Sequence, residues 1–233
     1  MKAISILLCF LFSFTAQAIE VEELIQAIKT NYALTKKLEY FSTYELYKGH
    51  RSEKVHSTYQ GYVYRNEKQV YQKINNTELI YGNDFFLKIN HKEKAIALDL
   101  AQININREVD LDEVLKNCES KTIEEKEDHY QIRLDYNTIA SSPFSSVEIR
   151  IDEKTKNLIQ MDLYYATMQD FSTHFQAPDL AQAHLKISFH KWNKHPKEDK
   201  SLFEFENYMA TTNSMLSPTG KYKGYELVDN RLN

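Results

Sequence analysis

The sequence predicts an α+β fold that is mostly antiparallel β-sheet. Between 40 and 100, short runs of β-branched and aromatic residues alternate with polar ones, and turn-forming or charged residues end each run about every nine to twelve positions. Before this region, 19–37 has helical periodicity, and three more alternating runs lie between 130 and 165. Together these patterns indicate one helix and two strand meanders.

The N-terminal helix is predicted from apolar residues at intervals of three and four. They are Val21, Leu24, Ile25, Ile28 and Tyr32. Glu22, Glu23, Lys29 and Lys36 occupy the other positions, so the helix is amphipathic. Its apolar stripe must be buried, and we expect the sheet that follows to bury it.

The first meander begins where the period changes from 3.6 to 2. In 38–47, Tyr40, Tyr44 and Leu46 share one parity. Later runs repeat the pattern, with turns predicted at 48–50, 65–67, 75–76, 82–84 and 91–93.

A short helix is predicted after the first meander. Asp110 and Glu113 have the spacing of a capping box, and an apolar stripe continues to Cys118. We interpret Cys118 as a small buried residue rather than a reactive thiol, because its neighbours in sequence include no obvious activating partner. It is the only cysteine after residue 18, so an internal disulfide is excluded.

The second meander has the clearest alternation in the chain. In 130–136 and 147–151, apolar residues alternate with charged or amide residues, and 159–165 places Met161 and Leu163 on one face. Each run has one apolar and one charged face, which predicts a sheet that packs on one side only.

The region 166–180 shows no clear period. It contains Phe171 and Phe175, and we interpret it as a lid that folds over something apolar. Beyond it we predict a strand ending near Trp192, a short strand at 203–205 and a last edge strand within 222–228.

The N-terminus has the features of a secretory signal peptide, 1–18. An apolar run of about eleven residues, too short to span a bilayer, precedes the small residues Ala16 and Ala18. We therefore expect an exported, periplasmic protein with a single domain over 19–233, in which 209–233 is a loosely packed extension. We expect it to be a monomer. A formal charge of −4 with interspersed signs argues against nucleic-acid binding.

Catalytic motifs are not evident. The sequence has no Gly-x-Ser-x-Gly elbow, Gly-rich phosphate loop or Cys–His signature, so we predict no enzyme, no catalytic residue and no cofactor. His184, His190 and His195 are close in sequence. We expect no metal site there, because His184 and His190 are well apart on the polar face of one strand and His195 lies beyond it. A hydrolase with scattered catalytic residues stays a third hypothesis.

The order of these elements resembles that of the bacterial outer-membrane lipoprotein carriers, the LolA/LolB-like family. The local matches are 78–83 followed by an aromatic strand, the hairpin 147–165, and 185–193 leading into 202–205. The resemblance implies an unclosed half-barrel sheet whose concave face is covered by helices. It also implies an apolar pocket that holds lipoprotein acyl chains. The carriers' Arg–aromatic pair after a Pro has no counterpart in 69–74, so the resemblance concerns the fold and the pocket more than lipoprotein transfer.

We therefore predict a carrier or binder of a lipid, a lipoprotein acyl chain or another apolar ligand, with a membrane protein as its donor or acceptor. Burying fourteen CH₂ groups would contribute up to roughly 11 kcal/mol, at about 0.8 kcal/mol each. The candidate pocket residues are Leu24, Ile28, Tyr44, Leu46, Phe85, Leu87, Ile89, Leu134, Ile149, Met161, Leu163, Phe171 and Phe175.

The alternative is a non-catalytic interaction module of the same fold. In that case side chains of the protein fill the pocket, and an exposed edge strand or an aromatic outer face recruits a protein partner. The candidate outer face consists of Phe41, Tyr47, Tyr62, Tyr64 and Tyr71.

Overall fold

The computed structural model describes residues 20–101, 115–116, 118–137, 142–172, 177–213 and 215–232. These residues form one α-helix, α1 (Val21–Leu34), and fourteen strands. The strands are β1 (Lys37–Lys48), β2 (Val55–Asn66), β3 (Gln69–Ile74), β4 (Thr77–Tyr81), β5 (Phe85–Asn90), β6 (Ala95–Leu100), β7 (Cys118–Glu125), β8 (His129–Tyr136), β9 (Phe144–Asp152), β10 (Leu158–Asp170), β11 (Leu180–Asn193), β12 (Met209–Thr212), β13 (Met215–Pro218) and β14 (Glu226–Asp229).

Twelve strands form one sheet in the order β14-β6-β5-β4-β3-β2-β1-β11-β10-β9-β8-β7, and β12 and β13 form a separate pair. The sheet is open in the described chain, because β14 and β7 lie at opposite ends of it. With one helix against a mostly antiparallel sheet, the fold is an open α+β half-barrel, as the sequence predicts. The central strand β1 joins the two meanders by pairing with β2 and with β11.

The predicted amphipathic helix is confirmed as α1. Val21, Leu24, Ile25 and Ile28 are buried, and all four belong to one hydrophobic cluster with residues of the sheet. A charged side chain of β2 fixes the C-terminal end of α1, since Arg65 Nη2 donates to the carbonyl oxygens of Tyr32 (2.6 Å) and Thr35 (2.7 Å).

The strand register defines two faces of the sheet, because directly paired residues point to the same side. The α1 face carries Tyr40, which pairs with Val63, and both belong to the cluster that contains α1. The outer face carries the intervening residues, such as Phe41 paired with Tyr62.

The two halves of the sheet bury opposite faces. The first core lies on the α1 face, chiefly of β1 and β8 to β11, beneath α1. The second core lies on the outer face of β2 to β6, where the chain after Lys200 covers Tyr64, Ile80 and Leu87. Tyr208, Met209 and Tyr222 are buried in it, so this part of the C-terminal segment is packed against the sheet.

The strands of both meanders are confirmed, but β7 was not predicted. The predicted helix at 110–118 lies largely outside the described residues, apart from 115–116 and Cys118. The placement of Cys118 on that helix is wrong, because Cys118 begins β7 and pairs with Tyr136. Most of β7 is exposed, so the sequence lacks the apolar alternation by which a half-buried strand is recognised.

The loop predicted at 166–180 is shorter in the structure. β10 continues to Asp170 and β11 begins at Leu180. Between Tyr164 and Met168 the register with β11 shifts, and this irregularity interrupts the alternation from which a strand is predicted. Phe171 packs edge to face on His56 (ring centroids 4.9 Å apart), whereas Phe175 lies outside the described residues.

The strand predicted at 203–205 is wrong, because Lys200–Phe203 and Phe205–Asn207 form 3₁₀ helices. The Asp199 side chain accepts a hydrogen bond from the Ser201 backbone N–H and begins the first of them. The predicted last edge strand is confirmed as β14, which pairs with β6 in parallel.

Candidate functional site

Two rows of side chains cross the α1 face from β1 to β7. One row runs through Tyr44, Ile187, Met161, Ile149, Ile132 and Ile123, one residue from each strand. The other runs through Leu46, Leu185, Leu163, Val147, Leu134 and Lys121. Since strands in a sheet are about 4.8 Å apart, these rows form a continuous apolar surface that is six strands wide in the first row and five in the second, which ends at the charged Lys121.

The exposure of this surface changes along the rows. On β8 and β9 the side chains of Ile132, Leu134 and Ile149 are fully buried. On β1 and β11 the side chains are only half-buried. We call these four residues the apolar strip: Tyr44, Leu46, Leu185 and Ile187. Met161 and Leu163 flank the strip on β10, and Tyr59, 38% exposed, pairs with Tyr44 on β2.

Tyrosine hydroxyl groups at this surface are poorly solvated. Burial raises the pKa of Tyr44, and a hydrogen bond between its side chain and that of Ser42 partly opposes that rise. Burial also raises the pKa of Tyr165, whose ring meets Phe144 edge to face at 5.2 Å between centroids. The surface around the strip is therefore apolar.

The predicted pocket residues fall into separate groups. Leu24, Ile28, Leu134 and Ile149 are completely buried in the first core. Protein atoms therefore cover them on every side, and a ligand reaches them only if α1 or its neighbours move. Tyr44 and Leu46 belong to the apolar strip, with Met161 and Leu163 at its border.

Three predicted residues lie on the other side of the sheet. Leu87 and Ile89 are buried on the outer face in the second core, and Phe85 packs against the same core. The alternation in the sequence shows which residues of a strand share a face. It does not show which of the two faces packs against α1, because that depends on the register at every intervening hairpin. The structure therefore separates Phe85, Leu87 and Ile89 from the apolar strip.

Leu185 and Ile187 are the strip residues missing from the predicted set. Their alternation in the sequence gives a strand, but their place beside Tyr44 and Leu46 follows from the pairing of β1 with β11. These two strands are more than a hundred residues apart in the chain, so no local pattern reports that pairing.

The histidines of β11 lie on the outer face, opposite the strip. His184 is stacked between Tyr47 and Tyr164, with ring centroids 5.1 and 4.4 Å away, and its Nε2 lies 2.8 Å from Asp162 Oδ1. Burial favours a higher pKa for Asp162, but hydrogen bonds from His184 and Gln160 outweigh it and lower that pKa. In the described chain, no group of three or more His, Cys, Asp or Glu side chains is placed to hold a metal ion.

The aromatic outer face proposed for a protein partner is partly covered. Tyr64 and Tyr71 are buried beneath the C-terminal segment, where Phe203 stacks on Tyr64 at 5.9 Å. Phe41, 38% exposed, lies against Tyr62 at 5.0 Å between ring centroids. The described residues include no helix with the length and apolar character needed to cross a bilayer.

Solved structures with similar folds were found at low sequence identity. An uncharacterized conserved protein from Thermus thermophilus has a TM-score of 0.46 at 8% identity, covering 90% of this chain and 98% of its own. A putative outer membrane lipoprotein-sorting protein domain from Vibrio parahaemolyticus has a TM-score of 0.39 at 8% identity, covering 79% and 96%. Mycobacterium tuberculosis lipoprotein LppX has a TM-score of 0.38 at 12% identity, covering 77% and 100%. The chain matches no family model and no curated protein.

Proposed function

We propose that this protein is an exported, non-enzymatic carrier that binds the acyl chain of a lipid or lipoprotein along the apolar strip. The observation that carries the proposal is the half-buried state of Tyr44, Leu46, Leu185 and Ile187, which lie beside the closed core of β8 and β9 on the α1 face. Contiguous apolar side chains left open to solvent are typical of a binding surface.

The strip has the form that an extended hydrocarbon chain requires. Two side chains of β1 lie beside two of β11, in register, and Met161 and Leu163 continue both rows into the buried core. A chain lying along the rows would contact branched and aromatic side chains on one side. Burial of each CH₂ group contributes about 0.8 kcal/mol to the free energy of binding. About eight buried groups would therefore contribute roughly 6 kcal/mol, from which the entropy lost on association must be subtracted.

The attachment of α1 limits the ligand to the strip. Its buried residues Val21, Leu24, Ile25 and Ile28 pack in the first core, and Arg65 of β2 holds its C-terminal end. Displacing the helix would expose these apolar side chains to water. We therefore place the acyl chain along the strip and not beneath α1.

The test uses the chain from Ile19 onward, purified and examined by mass spectrometry for lipid that purifies with it. In parallel, the purified protein is titrated with a long-chain fluorescent fatty acid. We expect recovered lipid and saturable uptake. The absence of both results would contradict the carrier proposal and favour the interaction module.

A matched pair of variants on β11 locates the site. Ile187→Asn introduces a polar side chain into the strip and should weaken uptake at least about tenfold, as expected when roughly 1.4 kcal/mol of apolar contact is lost. Leu180→Gln changes a 58% exposed residue of the same strand, outside the strip, and should leave uptake unchanged. Equal losses in both variants would show that binding does not occur at the strip.

A further inference from the structure

The first half of β2 is an open edge within the sheet. The register of β2 with β3 runs only from Gly61 to Asn66, so in the described chain residues 55–60 have a paired strand on the β1 side alone. The two halves of β2 also differ in exposure, because 61–66 is buried or half-buried whereas most of 55–60 is exposed. The same strand is therefore a central strand in its second half and an edge strand in its first.

The backbone groups of Thr58 point away from β1. Asn75 N–H donates to the Gln60 carbonyl oxygen (3.0 Å), so the backbone of Gln60 faces the β3 side. Backbone groups of alternate residues point to the same edge of a strand, which places the N–H and C=O of Thr58 on that side too. No strand among the described residues pairs there. Thr58 therefore offers one donor and one acceptor to an added strand.

The sequence of this edge favours pairing. Residues 55–60 include valine, threonine and tyrosine, and they contain no Lys, Arg, Asp, Glu or Pro. The two ends of the sheet are different: β7 carries four charged side chains, and β14 is four residues long with an acidic residue at each end. Charged side chains and short strands keep an edge from pairing. Both ends of the sheet are thus protected in a way that 55–60 is not.

The length of the open edge selects a peptide over a folded partner. The register with β1 shifts at His56, whose ring is covered on one side by Phe171. The regular part of the edge is therefore 57–60, about 13 Å long. Pairing over this length would bury far less than the roughly 1,200–2,000 Å² of a stable interface between folded proteins. A short extended segment fits the edge, whereas the sheet of a second copy of this chain would gain too little from it.

The side chains beside the edge indicate which peptide fits. Tyr59 is 38% exposed on the α1 face, where it pairs with Tyr44 and lies on the side toward the open edge. On the outer face, Thr58 and Gln60 are exposed and uncharged. An added strand would place alternate side chains beside Tyr59 and beside Thr58. The ring of Tyr59 favours a β-branched apolar neighbour, and Thr58 favours a hydroxyl or amide.

We propose that residues 57–60 bind an extended, uncharged peptide segment of a partner protein as an additional β-strand. The backbone bonds to Thr58 supply affinity, and an apolar residue of the peptide beside Tyr59 supplies specificity. This site goes beyond the proposed carrier function, because it uses the backbone edge of β2 and not the side chains of the apolar strip.

The test uses the chain from Ile19 onward and a fluorescently labelled, blocked hexapeptide of alternating threonine and valine. The control peptide has the same sequence with a methyl group on every backbone nitrogen, which removes all its N–H donors. Fluorescence polarisation should show saturable binding of the first peptide, at least about tenfold tighter than that of the second. Amide hydrogen exchange of Thr58 should be fast in the free protein and at least about tenfold slower with saturating peptide.

Two variants at one position separate the backbone from the side chain. Thr58→Pro removes the N–H at the open edge, and proline is tolerated where the N–H of an edge strand faces solvent. It should fold and take up the fluorescent fatty acid as the wild-type protein does, but bind the peptide at least about tenfold more weakly. Thr58→Ala keeps the backbone groups and should bind the peptide as the wild-type protein does.

Four results would each overturn this proposal without affecting the carrier function. Slow exchange of the Thr58 amide in the free protein, or failure of Thr58→Pro to fold, would mean that the chain itself uses this edge. A dimer in sedimentation experiments that Thr58→Pro abolishes would make a second copy the occupant. Equal binding of the two peptides, or peptide binding that survives Thr58→Pro, would show that no strand is added at β2.

Discussion

Tyr222 donates a hydrogen bond of 2.9 Å to Glu78, joining the C-terminal segment to a buried glutamate, 1% exposed, near the start of β4. His91 Nε2 lies 2.7 Å from the other carboxylate oxygen, and Lys221 Nζ lies 3.5 Å from it. The buried charge is therefore surrounded by donors, two of which come from residues after 220. This cluster fixes the C-terminal segment over the second core.

The first prediction concerns Tyr222→Phe, which removes one donor and leaves the ring in place. We expect the free energy of unfolding to fall by about 1–3 kcal/mol, because a buried carboxylate loses a hydrogen bond. Urea denaturation followed by far-ultraviolet circular dichroism measures the change. Tyr59→Phe, at a tyrosine 38% exposed, is the control and should change stability by less than about 0.5 kcal/mol. A silent Tyr222→Phe would show that this bond does not hold the segment.

The second prediction concerns acid. Burial favours a higher pKa for Glu78, but hydrogen bonds from His91 and Tyr222 and the charge of Lys221 outweigh it and lower that pKa below its usual value. A group whose pKa is lowered in the folded state stabilises the fold above its unfolded pKa, and this contribution disappears as the pH falls through the folded pKa. The stability gap between wild-type and Glu78→Gln should therefore narrow below about pH 4.3, the usual pKa of an unfolded glutamate.

Denaturant titrations between neutral and acidic pH measure that gap. The control is Glu93→Gln in the exposed turn between β5 and β6, whose stability difference from the wild-type protein should stay constant over the same range. If the difference in free energy of unfolding between the wild-type protein and Glu78→Gln does not change with pH, the charge of Glu78 does not stabilise the fold as predicted.

The third prediction separates the two faces of β8. Leu134→Asp places a charge in the closed core of the α1 face, where Leu134 is 0% exposed, and should prevent folding. Arg133→Ala removes an exposed side chain that pairs with Glu148 at 2.9 Å, and should cost less than about 1 kcal/mol. The effects of both substitutions are measured by the yield of soluble protein and by thermal unfolding. If both variants lower the soluble yield and the unfolding temperature to a similar extent, the assignment of Leu134 to the buried face and Arg133 to the exposed face of β8 is wrong.

The fourth prediction concerns the attachment of α1. Arg65→Met keeps the aliphatic stem but removes the donors to Tyr32 and Thr35, which should cost about 1.5–3 kcal/mol, the usual value for hydrogen bonds from a charged group. Amide hydrogen exchange in α1 should accelerate while exchange in β9 stays slow. Arg51→Met, at an exposed arginine, should leave exchange in α1 unchanged.

The sequence was sufficient to predict elements whose patterns are local. The stripe of Leu24 and Ile28 gave α1, and the alternation around Leu134 and Ile149 gave β8 and β9 with their buried face. The resemblance gave an open half-barrel, which the structure has. In each of these elements, the residues from which it is predicted are close together in the chain and follow a single period.

The candidate site was predicted only in part, because its composition depends on pairings between distant residues. Tyr44 and Leu46 were identified, but Leu185 and Ile187 join them only through the β1–β11 register. Leu87 and Ile89 look like Ile149 in sequence, yet the segment that buries them is aperiodic and comes after residue 200.

The pairing of β1 with β11 also has a consequence for how the chain reaches this structure. Until Leu180–Asn193 has been synthesised, one edge of Lys37–Lys48 has no neighbour and exposes its backbone groups. Contacts this distant in the chain slow folding, so the half-made sheet is prone to associate with other chains during biogenesis. Truncation before residue 180 should therefore yield an aggregating product, and the nascent strand needs protection until its late partner arrives.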